Sequence, residues 1–85
     1  MALRVIFLAR ATKEYLDLPR QDRDRIRERV TDYAADPAHA RHDVRRLVGQ
    51  GGRMRLRSGK WRVVFEVTGD TMTVQRVLHR REAYR

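Results

Sequence analysis

RMRLRSGKWRVVFEV, residues 53–67, decides the fold. Met54 and Leu56 alternate with Arg53, Arg55 and Arg57, Ser58-Gly59 supplies a turn, and Trp61, Val63, Phe65 and Val67 alternate in a second run. Period two on both sides of a short turn predicts a β-hairpin with an apolar face and a polar one. The polar face carries Arg53, Arg55 and Arg57 on one strand and Arg62, Val64 and Glu66 on the other. Antiparallel pairing brings Arg62 beside the arginine row. Like charges opposite one another destabilise a sheet, so a partner that supplies negative charge is expected. The plainer alternative is a solvated surface whose arginine heads splay into water.

Working outward, Gly69-Asp70 signals a second hairpin turn, and MTVQRVL, residues 72–78, reads as the last strand. Strict alternation sets His79 on the face opposite Arg76 and Leu78. Trp61, Met54 and Met72 fall on the apolar side and read as core. At the other end, LRVIFLA, residues 3–9, reads as a first strand, and apolar residues on both of its faces suggest a well-covered position away from an edge. Thr12 is the expected cap of a helix that opens with Lys13-Glu14-Tyr15-Leu16, and Pro19 divides it from a second helix. In the second helix Ile26, Val30, Tyr33 and Ala34 form one apolar stripe, while five arginines and five acids lie between Arg20 and Asp36. Residues 38–52 have the least regular pattern: Val44, Leu47 and Val48 offer a short apolar anchor, and Gly49, Gly51 and Gly52 read as turns. They do not form a nucleotide-binding loop, since no Gly-Lys-Ser/Thr follows. The fold class is therefore α+β, a small antiparallel-rich sheet of about four strands packed by two N-terminal helices, in the order β-α-α-β-β-β.

The 85 residues suffice for a single domain over 1–85, with a formal charge of +9. The charge is uneven. Residues 1–40 hold eight Lys/Arg and seven Asp/Glu, and residues 41–85 hold twelve and four. A net of +8 in the second half suits a surface that meets a polyanion, nucleic acid first. No cysteine is present, which excludes disulfide and thiolate chemistry and fits a cytoplasmic location. The N-terminal apolar patch is too short for a membrane span and lacks the pattern of a signal peptide. His39, His42 and His79 come without a recognisable ligand spacing, so neither metal nor cofactor is expected.

The chemistry-bearing residues are Arg53, Arg55, Arg62 and Arg80, with His79 and Tyr84 near them in sequence. No serine–histidine–acid group or paired carboxylates compete with them. Oriented guanidinium groups stabilise the extra negative charge of a phosphorane-like transition state. In RNA, a 2′-hydroxyl held in line with the leaving 5′-oxygen needs no metal and leaves a 2′,3′-cyclic phosphate, so alignment becomes much of the catalysis.

The basic hairpin, followed by MTVQRVLHRREAYR, residues 72–85, closely resembles the RelE/ParE superfamily of bacterial toxins, particularly its RelE-like branch. The likeness extends to the first strand and to TKEYLDLP, residues 12–19. It implies a toxin that cuts messenger RNA in the ribosomal A site and a cognate antitoxin that forms a hetero-oligomer with it. On that pattern Arg53 and Arg55 hold the basic positions before the turn. Arg62 is the phosphate-stabilising group, Arg80 matches the arginine that ends the last strand, and Tyr84 helps orient substrate. His79 falls where some members place an acid or base. Two other readings use the same residues: a ParE-like inhibitor of DNA gyrase, and a nucleic-acid-binding module without catalysis.

Overall fold

The structure, a computed structural model, describes residues 2–39 and 42–82. Strand β1 (Arg4–Phe7) leads into helices α1 (Ala9–Leu16) and α2 (Arg20–Ala35). Four strands follow: β2 (Val44–Arg46), β3 (Met54–Ser58), β4 (Trp61–Thr68) and β5 (Thr71–His79). They form one sheet in the order β1-β5-β4-β3-β2, parallel between β1 and β5 and antiparallel elsewhere. The α+β class and the two N-terminal helices are as the sequence predicts. The fifth strand is the three-residue β2, within the least regular stretch of the sequence.

Both tight turns have glycine at the first of two linking positions, Gly59 at φ +58° and Gly69 at φ +60°. That backbone twist matches the right-handed twist of the flanking strands, and a side chain there would strain it. The Gly59-Lys60 link fixes the register, setting Ser58 opposite Trp61, Arg57 opposite Arg62 and Leu56 opposite Val63.

One face of the sheet is covered by the helices. Ile26, Val30, Tyr33 and Ala34, the stripe read from α2, pack with Leu56, Val63, Phe65, Met72, Val74 and Val77. The Tyr33 ring meets Phe65 edge-on at 5.1 Å, and Tyr15 meets Phe7 at 5.6 Å. Trp61 and Met54 pack against this core, partly buried.

Two expectations are corrected. β1 lies at an edge, with Val5 39% and Ile6 45% exposed, because only β5 pairs with it. Thr12 lies inside α1 and does not cap it: Leu8 occupies the cap position with extended backbone, and the Thr12 N–H already bonds to the Leu8 carbonyl at 2.9 Å.

β5 contains the irregularity that matters for the site. Its register with β4 passes from Val74 opposite Phe65 to Arg76 opposite Val64, leaving Gln75 as an extra residue. Such a bulge reverses which face the following residues occupy. Met72, Val74 and Val77 thereby all reach the core, while Leu78 lies opposite Arg62 and His79 opposite Trp61.

Candidate phosphate-binding face

The arginine row occupies the sheet face turned away from the helices. Directly opposed residues on antiparallel strands project to the same side, with Cα atoms about 4.5–5.5 Å apart. Arg57 and Arg62 form such a pair. Arg62 is 3% exposed and Arg55, two residues along β3, is 7% exposed; Arg57 is open to solvent.

Arg62 is tied to its own turn. Its Nη1 donates to the carbonyls of Gly59 at 2.8 Å and Trp61 at 2.9 Å. Its Nε has no hydrogen-bond partner although it is buried. Burial, followed by the charges of Arg57, Arg55 and Arg80, pulls its pKa below the usual arginine value, and Asp43 opposes this weakly. Arginine nevertheless stays charged in proteins. The depression expresses first the burial of this cation and second the repulsion within the cluster, and an arriving anion offsets both.

Arg80 joins the cluster from the end of β5, where its N–H extends the ladder to the Lys60 carbonyl at 2.7 Å. Arg53 stands at the other end of the row, 3.9 Å from the Glu66 carboxylate. Its charge is thus partly answered within the protein. His79 lies across the sheet from the cluster: its ring meets Trp61 edge-on at 5.5 Å, and its Nδ1 accepts the Arg81 N–H at 3.2 Å. Tyr84 lies outside the described residues.

Of the six residues singled out from sequence, the structure gathers Arg55, Arg62 and Arg80, and adds Arg57. Arg57 was legible as part of the row, and counting a two-residue link would have placed it opposite Arg62. The cluster is a face, not a cavity. A surface depression of about 1080 Å³ lies along the salt-bridged outer side of α2 and shares no residue with it. Among the described residues no group of three His, Asp or Glu side chains is placed to hold a metal ion. No described helix is long and apolar enough to cross a membrane.

The comparisons with known proteins point to toxins of toxin–antitoxin systems. Residues 5–84 match the family described as the ParE toxin of the type II toxin–antitoxin system, parDE. Toxin RelE3 of Methanocaldococcus jannaschii is 29% identical over 84 residues, which cover 96% of each chain. A chain in the RelB–RelE antitoxin–toxin complex from Methanococcus jannaschii superposes with a TM-score of 0.78 at 28% identity, covering 93% of this chain and 94% of that one. A chain of the archaeal RelE–RelB complex from Pyrococcus horikoshii OT3 shares the fold, with a TM-score of 0.79 at 24% identity over 96% of this chain and 99% of its own. A full-length family match, a full-length relative and the common fold place this chain among the RelE/ParE-superfamily toxins of type II toxin–antitoxin systems, on the RelE-like branch.

Proposed function

We propose that residues 1–85 act as one toxin domain that cleaves messenger RNA in the ribosomal A site. The observation that carries this reading is the buried Arg62 guanidinium, held by the Gly59 and Trp61 carbonyls with its Nε unpartnered and ringed by Arg55, Arg57 and Arg80. A fixed cation with an unpartnered donor suits a phosphate that gains charge during reaction. In the reaction the 2′-oxygen attacks the adjacent phosphorus as its proton departs. The bond to the 5′-oxygen breaks, that oxygen takes up a proton, and a 2′,3′-cyclic phosphate remains. Arg62 stabilises the phosphorane charge, and Arg55 and Arg80 contribute from either side. Arg53, His79 and Tyr84 are assigned to substrate positioning and proton transfer. The ribosome supplies the in-line alignment of the 2′-hydroxyl, which these side chains alone do not impose.

A cognate antitoxin is the proposed partner, by analogy with the antitoxin–toxin complexes in which the structural relatives were solved. Its acidic side chains would neutralise the arginine face, and the exposed Val5, Ile6, Leu8 and Leu16 provide apolar contact on the opposite edge.

One observation favours a second reading: the matching family is described by its ParE members. In that case the target is DNA gyrase and the arginines only bind. The test maps 5′ ends on a defined message after adding the protein, with programmed ribosomes and with naked RNA, alongside a gyrase supercoiling assay. Cuts in the A-site codon that appear only with ribosomes support the first reading. An intact message with inhibited gyrase replaces it with the second.

A further inference from the structure

The short strand β2 carries the additional feature. Its register sets Val44 opposite Leu56, Arg45 opposite Arg55 and Arg46 opposite Met54. Arg45 therefore shares the face of Arg55, and Arg46 projects to the other side of the sheet. Two cross-strand arginine pairs result, Arg57 with Arg62 and Arg45 with Arg55. They lie two residues apart along β3, about 6.8 Å for an antiparallel strand. Each pair has the same make-up: one guanidinium buried, Arg62 at 3% and Arg55 at 7% exposure, and one open to solvent, Arg57 and Arg45.

We propose that Arg45, together with the Arg55 it opposes, forms a second phosphate subsite, which takes the RNA backbone phosphate next to the one held at Arg62, with Arg55 serving both phosphates. This rests on the RNA-directed reading of the arginine face. Repetition of the pair at a spacing comparable to one step of an extended nucleotide backbone is what a track for a single strand requires. General attraction to a cationic surface would draw equally on every exposed arginine. The track draws on Arg45 and not on Arg46, its immediate neighbour, which is also exposed.

That asymmetry is the test. The probe is a 2′-O-methyl hexaribonucleotide, which lacks the attacking hydroxyl and cannot be cut, titrated with the full-length protein over a range of salt concentrations. Each phosphate neutralised on a single strand contributes about 0.7 to the slope of log affinity against log salt. Arg45→Ala is expected to weaken binding about threefold to tenfold at low salt and to flatten the slope by about 0.7. Arg46→Ala should leave the slope unchanged, and Arg45→Lys should restore most of it. Equal flattening by Arg45→Ala and Arg46→Ala would overturn the subsite in favour of a diffuse field. Flattening by neither, or no measurable binding by the wild type, would also overturn it. Because the probe cannot be cleaved, the outcome is independent of the ribosome assay. Asymmetric binding with an uncut message would sink the cleavage reading and leave the subsite standing, and a cut message without asymmetry would do the reverse.

Discussion

The carboxylate of Glu14 on α1 holds Arg76 of β5 across the chain. It accepts from Arg76 Nε at 3.1 Å and Nη2 at 2.8 Å, and also from the Val77 N–H at 2.9 Å. β1 pairs with β5 only as far as Val74, so Glu14 completes the edge of β5 beyond the end of β1. Partial burial alone would raise the Glu14 pKa, but the bonds from Arg76 and Val77 and the charges of Arg76 and Arg10 outweigh it and hold the group below its usual value. Its stabilisation is thus present above the unfolded pKa, about 4.3, and is lost as pH falls through the folded one. Glu14→Gln should cost about 1–2 kcal/mol at neutral pH. In urea unfolding, the gap from wild type should narrow below about pH 4.

Arg62 is expected to separate function from stability. Arg62→Ala should lower the rate of ribosome-dependent cleavage by about a hundredfold to a thousandfold, with a smaller effect on binding. Arg62→Met, which fills the same space without a buried cation, should leave the melting temperature unchanged or raise it by an amount worth about 1 kcal/mol. Single-turnover kinetics and thermal melts measure the two quantities. Arg62→Met that melts well below wild type would show the guanidinium to be a structural element.

Burial of the Arg62 cation, with repulsion from its neighbours, predicts anion-linked stability. Inorganic phosphate, exchanged for chloride at constant ionic strength, should raise the melting temperature of the wild type. At ten times the dissociation constant the gain is about 1.4 kcal/mol. Arg62→Met should lose most of it. A gain of the same size in that variant would place the anion elsewhere.

The extra residue in β5 predicts different weights for two neighbours. Counted from inward-facing Met72, unbroken alternation would put His79 beside Arg62 and turn Arg80 away. The bulge at Gln75 exchanges them. His79→Ala should therefore reduce cleavage less than tenfold, and Arg80→Ala at least ten times more than that. His79→Ala should also change the fluorescence of the single tryptophan, Trp61, whose ring it meets. A loss from His79→Ala as large as from Arg80→Ala would return the imidazole to the reacting centre.

Local pattern carried much of the architecture. Period two gave the hairpins, and the spacing of Ile26, Val30, Tyr33 and Ala34 gave the buried stripe of α2, because these signals arise between near neighbours in the chain. Three features were beyond such reading. β2 has only three residues, too few for a period to register. The pairing of β1 with β5 is long-range, so the apolar residues of β1 looked central when the strand is an edge. The bulge at Gln75 follows from the need to bury Met72, Val74 and Val77 together, which no run of alternating residues announces. In the site, charge and alternation found the arginine face. The burial of Arg55 and Arg62 was not legible, since arginine is normally among the most exposed residues.

The parallel pairing of Arg4–Phe7 with residues 71–74 joins the two ends of the chain. The first strand emerges early in synthesis and must wait for the last before it has a neighbour. Contacts of such wide sequence separation slow folding, because the intervening loop must close before they form. The bulge lies in β5 and Arg80 directly follows that strand, so the cationic face is completed only when β5 has paired. The arginine face therefore depends on a long-range closure: a partner that recognises the paired sheet recognises a chain whose first and last strands have already met.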